Sequence, residues 1–297
     1  MNANNLLDID DVSADELDSL LARAAALKRG DDETQLPQQT LGMLFEKPST
    51  RTRLSFETGM TQLGGHAIFM GPDDIQLGHG EPLKDTARAM GRYVDAIMAR
   101  LFAHEDAEIL AEYADVPVIN GLTDDAHPCQ TLADLLTIHE QFNGFDDVRV
   151  AWVGDGNNVG QSFAIGCALA GVDLAVATPE AYAMDDAVLD LAAELGESPE
   201  IYTDPTAAID EADVIYTDVW VSMGQEDERA EKLAAFEGFQ LNEALLADST
   251  AKIMHCLPAH RGEEITDAVV ESDRSIVWEQ AENRLHAQKA LLVELLQ

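Results

Sequence analysis

The sequence predicts an α/β protein of two doubly wound domains, each a parallel sheet with helices on both faces. Short apolar runs alternate with helical patterns along the whole chain, the rhythm of consecutive βαβ units. At 297 residues the chain is long enough for two cores of ordinary size. A polar, glycine-containing stretch, Asn143-Gly144-Phe145-Asp146-Asp147, breaks the alternation near its middle and marks the boundary.

In the first half, Leu41–Phe45, His66–Met70, Asp95–Ala99 and Val116–Ile119 read as short buried strands, being apolar and bounded by polar or turn residues. Between them Thr50–Leu63, Lys84–Tyr93 and Glu105–Tyr113 have helical spacing, and a further helix starting near Thr131 leads to the boundary. The second half repeats the scheme, with strands at Val148–Val153, Val172–Ala177, Glu200–Tyr202, Val214–Thr217 and Lys252–His255. Ala281–Leu296 has helical periodicity and is expected to return to the first domain. The expected division is therefore 1–142, with 281–297 packed back on it, and 148–280. Sheets of this kind bind ligands at the carboxyl ends of their strands, which predicts a site in the cleft between the domains.

Composition narrows the partners. Lys and Arg total 18 against 56 Asp and Glu, a formal net charge of −38, and only six of the cations are lysines. So acidic a surface repels nucleic acid and anionic membranes, excluding both partner classes. The acids are spread along the chain instead of massed in a tail, which predicts a surface adapted to molar salt. No run approaches the length of about 18 apolar residues that a membrane helix needs. Met1-Asn2-Ala3-Asn4-Asn5 lacks the basic and apolar regions of a signal peptide, so the expected location is the cytoplasm. Cys129, Cys167 and Cys256 are too few and too irregular for a disulfide framework and fit a reducing compartment. Cys167, in the apolar run Ala164–Leu169, reads as core.

Arginines kept in such an acidic chain direct attention to their surroundings. In Phe45-Glu46-Lys47-Pro48-Ser49-Thr50-Arg51-Thr52-Arg53-Leu54-Ser55-Phe56 an apolar strand runs through Pro and hydroxyl residues into an amphipathic helix. The unsatisfied amides and positive dipole end of a helix start suit a phosphate. Ser49, Thr50 and Thr52 add hydroxyl donors and Arg51 a bidentate cation, whereas Arg53 reads as structural. Gly154-Asp155-Gly156-Asn157-Asn158-Val159-Gly160 follows a strand and opens a helix, imitating a dinucleotide fingerprint with the wrong downstream spacing. Its tandem amides instead suit an amino-acid carboxylate.

Six strings in order resemble the signatures of the transcarbamoylase (aspartate/ornithine carbamoyltransferase) family. They are Ser49-Thr50-Arg51-Thr52-Arg53, His127-Pro128-Cys129-Gln130, Gly154-Asp155-Gly156-Asn157-Asn158, Asp218-Val219-Trp220-Val221-Ser222-Met223-Gly224, His255-Cys256-Leu257-Pro258 and Glu282-Asn283-Arg284. Each is short; their joint order across nearly the whole chain is specific. The resemblance implies carbamoyl transfer from carbamoyl phosphate without a cofactor or metal. Ser49, Thr50, Arg51, Thr52, Arg100, His127, Pro128, Cys129, Gln130 and Arg284 would hold that substrate. Gln76 would reach it from an adjacent subunit, implying a homotrimer or a multiple of trimers. Arg100, His127, Cys256 and Arg284 would carry the catalytic work.

Cys256 points to the ornithine-accepting branch, since aspartate carbamoyltransferases tend to have Pro there and need extra cations for a second carboxylate. That branch implies Asn158 on the substrate carboxylate, Asp218, Ser222 and Met223 at the α-amino end, and Cys256 and Leu257 near the δ-amine. Putrescine lacks a carboxylate for Asn158, and N-acetylornithine lacks a free α-amine for Asp218; both remain alternative acceptors. An NAD-dependent dehydrogenase rests on the glycine loop alone. A zinc site from His127, Cys129, His255 and Cys256 would have spacings unlike common zinc motifs.

Overall fold

A computed structural model of the chain describes residues 4–74 and 80–297. It divides into two compact units, one running to Leu136 and including Glu282–Gln297, the other Thr137–Ala281. The division falls inside the helix that precedes the Asn143–Asp147 turn.

The first unit opens with α1 (Ala14–Arg29), which lies outside the βα alternation expected from the sequence. Its start is a capping box: Ser13 Oγ accepts from the Glu16 amide while the Glu16 carboxylate accepts from the Ser13 amide at 3.0 Å. Leu17, Leu20, Leu21 and Ala24 form its buried face, and Gly30 ends it in the left-handed region. There follow β1 (Thr40–Phe45), α2 (Thr50–Gln62), β2 (His66–Met70), α3 (Leu83–Met90), β3 (Ala96–Arg100), α4 (His104–Tyr113), β4 (Val118–Leu122) and α5 (Pro128–Phe142). The sheet is parallel in the order β2-β1-β3-β4, so the winding direction reverses between β1 and β3. β1 and β3 are almost wholly buried, whereas β2 is an edge strand whose Ile68 is exposed. β3 and β4 differ from expectation. β3 runs on to include Arg100, paired with Phe45 of β1, and a register shift between Ala99 and Arg100 disturbs its pairing with β4. Such an irregularity re-aims the last side chain of a strand. β4 starts later than Val116 because Pro117 has no amide for the ladder; its carbonyl accepts from Ile97 instead.

The second unit holds β5 (Arg149–Val153), α6 (Asn158–Ala170), β6 (Asp173–Ala177), α7 (Asp186–Leu195), β7 (Glu200–Tyr202), α8 (Pro205–Ala208), β8 (Val214–Thr217), α9 (Arg229–Ala235), β9 (Lys252–His255) and α10 (Asp267–Val270). Its parallel order is β7-β6-β5-β8-β9, with the reversal between β5 and β8. Trp152 and Tyr216 are fully buried and meet edge to face at 4.8 Å, with Phe163 against Tyr216 at 5.1 Å. Finally α11 (Val277–Leu296) carries the chain into the first unit, where Lys289 Nζ donates to Gln62 (3.0 Å) and Asn283 accepts from Lys28 (2.8 Å). Among the described residues no helix is long and apolar enough to cross a membrane.

Candidate active site

Ser49–Arg53 follows β1, Gly154–Asn158 follows β5 and Asp218–Gly224 follows β8, at the carboxyl ends of strands flanking the reversals, where open parallel sheets leave a crevice. His127–Gln130 comes after the edge strand β4, His255–Pro258 at the end of the edge strand β9, and Glu282–Arg284 lies within α11. In the first unit the loop after β1 leads into α2. Ser49 is its N-cap: its hydroxyl oxygen accepts from the Thr52 amide (3.2 Å) and its O–H donates to Thr52 Oγ1 (3.1 Å). The loop is braced from below. Lys47, 3% exposed, pairs with Asp124 and lies 4.4 Å from the Phe102 ring. Glu46 accepts from the Phe102 amide at 3.0 Å. Arg53 points away, paired with Glu57 at 3.0 Å and stacked on Phe69 at 3.7 Å, the structural role its position suggested.

A second layer comes from α5 and α11. Pro128 fills the first position of α5, where its missing amide costs nothing. Arg284, buried in α11, donates through Nη1 to Gln130 Oε1 (2.7 Å) and through Nη2 to Thr52 Oγ1 (3.3 Å). Gln130 Nε2 donates in turn to the buried Asp134 carboxylate (2.8 Å). The Gln130 side chain is thus engaged in orienting Arg284. His127 is buried beside them, and its imidazole is held well below its ordinary range, first by burial and then by Arg284, Arg100 and Arg51. Three guanidiniums of an acidic chain therefore converge on one neutral histidine. Cys129 is also fully buried; its thiol donates to the Asn120 carbonyl (3.4 Å) and is pushed up to about 12 by burial, which makes it a packing residue. Gln76 lies outside the described residues.

In the second unit the loop after β5 explains its own glycines. A Cβ on Gly156 would stand 2.5 Å from the Met184 amide nitrogen, and one on Gly160 would stand 2.8 Å from the Trp152 ring. The Gly156 amide donates to the Tyr182 carbonyl (2.9 Å). Close packing of the chain on itself requires these residues, so the fingerprint owes nothing to a dinucleotide. Asn157 caps α6, accepting from the Val159 and Gly160 amides at 3.1 Å, and its Nδ2 donates to Asp218 Oδ2 at 2.9 Å. The other oxygen of Asp218 accepts from Cys256 Sγ at 2.9 Å. Asp218 follows β8 and Cys256 follows β9, so sheet pairing brings them together. Asn158, the residue expected at a substrate carboxylate, stands half-buried at the start of α6, its Oδ1 accepting from the Val159 amide (3.0 Å).

His255 is fully engaged: Nδ1 accepts from the Leu257 amide (2.9 Å), so the proton sits on Nε2, which faces the buried Glu264 carboxylate (2.9 Å). Glu264 also accepts from the His260 amide (2.6 Å), and Leu257, beside Cys256, sits at φ +61°. Ser222 is half-buried and Met223 is 46% exposed, on a turn where the Gln225 amide donates to the Ser222 carbonyl (3.1 Å). Sequence reasoning missed the Lys47–Asp124 pair, the capping and Asp218-holding role of Asn157, the His255–Glu264 pair and Lys232, whose Nζ reaches Asp155 (2.5 Å). Only Asn157 had a legible signal, a short polar residue just before a helical run.

Comparison with known proteins agrees with this chemistry. Residues 4–140 match the family model for the carbamoyl-P binding domain of aspartate/ornithine carbamoyltransferases, and residues 146–295 match the Asp/Orn binding domain. The chain is 70% identical over 294 residues to an ornithine carbamoyltransferase of Haloquadratum walsbyi, covering 99% of this chain and 98% of that one. It is 53% identical to that of Methanoculleus marisnigri, over 98% of this chain and 96% of the relative. Among solved structures, ornithine carbamoyltransferase from Pyrococcus furiosus superposes with a TM-score of 0.92 at 51% identity, covering 97% of this chain and 95% of that one. That from Gloeobacter violaceus gives 0.89 at 46%, covering 99% of each. With both halves matched and relatives this similar along their full length, the chain belongs to the aspartate/ornithine carbamoyltransferase family.

Proposed function

We propose that the chain transfers the carbamoyl group of carbamoyl phosphate to the δ-amine of L-ornithine, giving L-citrulline and phosphate. The observation that carries this reading is that the buried Arg284 ties the start of α2 to α5, donating to Thr52 Oγ1 and Gln130 Oε1, with His127 just before α5 held neutral by burial and by Arg284, Arg100 and Arg51. The α2 amides with Ser49, Thr50 and Arg51 take the phosphate, and Arg100 supplies a second cation. Thr52, Arg100 and His127 face the carbonyl oxygen as it gains charge, each preorganised donor contributing about 2.7–4 kcal/mol. Pro128 and the backbone at Cys129 and Gln130 hold the carbamoyl amide, while Gln130 also fixes Arg284.

Ornithine arrives with its δ-amine protonated, having a lysine-like pKa of about 10.4. One proton leaves before attack. The amine then forms the N–C bond, the C–O bond to phosphate breaks, and the remaining surplus proton ends on the phosphate. Asn158 receives the α-carboxylate, and Asp218, Ser222 and Met223 the α-amino end. Cys256 and Leu257 flank the δ-amine. The hydrogen-bonded Cys256–Asp218 pair favours a cationic diamino acid over aspartate, whose second carboxylate would meet this negative group. The edge strand β2 with exposed Ile68, together with exposed Leu54, supports assembly into a homotrimer or a multiple of it. The spread of acidic residues supports work in a salt-adapted cell, with the cytoplasm as the proposed location.

The test is carbamoyl transfer in molar KCl with ornithine, putrescine, N-acetylornithine and aspartate in parallel. Citrulline from ornithine alone is the expected result. Transfer to another acceptor would keep the phosphate site and discard the ornithine pocket; no transfer at all by folded protein would discard the activity.

A further inference from the structure

We propose that Lys232 is a positioning residue for the amino-acid substrate, its buried ammonium tying the Gly154–Asn158 loop to the Ser222–Gln225 turn and so setting the shape of the ornithine pocket. The inference rests on the ornithine reading above.

Lysine is rarely buried, because its ammonium loses hydration that only close partners restore. Lys232, one of six lysines in the chain, is 3% exposed on the short helix α9. Its Nζ donates to Asp155 Oδ2 at 2.5 Å and to Gln225 Oε1 at 2.8 Å, and it stands 5.3 Å from the centre of the Tyr182 ring. Each partner lies in a different ligand-binding segment. Asp155 sits in the loop after β5, beside Gly156, which lies close against Tyr182–Met184, and two residues before Asn157, which holds Asp218. Gln225 closes the turn after β8: its Oε1 also accepts from the Ser222 amide (3.3 Å), and its own amide donates to the Ser222 carbonyl. One ammonium therefore fixes Asn158's loop and Ser222's turn at once. It also balances Asp155, whose carboxyl is raised by burial and by its neighbour Asp218 and brought down by Lys232. With its donors directed at Asp155 and Gln225, Lys232 acts through the two loops and not on the substrate.

The test compares the unaltered protein with Lys232→Met, Lys232→Arg and Gln225→Leu, measuring KM for each substrate and inhibition by L-norvaline, which keeps the α-amino-acid end of ornithine but has no δ-amine. Lys232→Met and Gln225→Leu should raise the ornithine KM and the norvaline inhibition constant in parallel by about tenfold, as expected for loss of a charge-assisted hydrogen bond, with carbamoyl-phosphate KM unchanged. Lys232→Arg should recover most of the loss. Should Lys232→Met leave Asp155 uncompensated and fail to fold, Gln225→Leu decides alone, since it removes the link to Ser222 without stranding a charge. Unchanged ornithine and norvaline constants in Gln225→Leu would overturn the proposal, as would an equal loss for both substrates. An unaltered protein that does not use ornithine would overturn the substrate reading, and the positioning role with it; an active one with indifferent variants would overturn the positioning role alone.

Discussion

Arg51, Arg100 and Arg284 are cations in a chain that carries few, and all three bear on His127. In the proposed site they share one anion, and removing one should not be made good by the others. Arg51→Ala is expected to lower turnover about 100- to 1,000-fold, the usual cost of deleting a donor to developing charge. Steady-state kinetics with saturating ornithine checks this, and near-normal activity would remove Arg51 from the phosphate site. The two cysteines of the motifs separate clearly. Cys129 is a buried thiol far from ionising at neutral pH, while Cys256 is half-buried and bonded to Asp218. Cys256→Ala should raise the ornithine KM about tenfold, in keeping with loss of a hydrogen bond to a charged group, and leave carbamoyl-phosphate KM alone. An unchanged ornithine response would dismiss Cys256 from the pocket. The residue types at these positions were legible because phosphate, carbonyl and amine chemistry each demand particular donors. Asn157 and Asn158 are adjacent amides that look alike in the sequence, and only the structure shows that Asn157 caps the helix.

At the scale of elements, the site loops after β1, β5, β8 and β9 leave the carboxyl ends of strands while Arg284 sits within α11, and the accuracy of each loop depends on what packs beneath it. The loop after β5 has no room at Gly156, whose added methyl would meet the backbone of Ala183 and Met184. Gly156→Ala should force that loop outward, costing about 1–3 kcal/mol of stability, the range for overpacking, and raising the ornithine KM as Asn158 moves. A denaturation midpoint and ornithine KM both equal to the parent's would show that the loop yields freely. The strands were readable from apolar runs and the helices from spacing. The exception was α1, although Ser13 and Glu16 form a capping box before an apolar stripe. The end of β3 was one residue longer than hydrophobicity indicates because Arg100 is a strand residue in pairing and a site residue in chemistry.

For the whole molecule, a charge of −38 makes self-repulsion a standing cost of the folded state. Salt screens it within about 8 Å at physiological ionic strength and about 3 Å at 1 M. The denaturation midpoint is therefore expected to rise with KCl into the molar range; a flat response would show that the acids are not mutually destabilising. Acid has a separate effect. His127 and His286 are both held below the ordinary imidazole range by burial, with Arg284 next for His127 and Lys289 next for His286. The unfolded chain takes up protons there that the folded chain resists, so this contribution is full above about pH 6.5 and is lost as pH falls toward the folded values. Carboxylates titrate lower, near pH 4, so in 2 M KCl the midpoint should drop between about pH 7 and pH 5.5. No drop over that window would mean the histidines are protonated in the native state at no cost.

Alternation of apolar runs, the order of six short motifs and the imbalance of charge were determined by the sequence alone, because each depends on residue types and near spacing. Which atoms meet was decided only by tertiary structure. Arg284 reaches Thr52 and Gln130, Cys256 reaches Asp218, and Lys232 reaches Asp155 across long stretches of chain, through sheet order and the seating of α9 and α11. A buried charge is acceptable only when its partner is in place, and no local pattern announces a partner so distant along the chain.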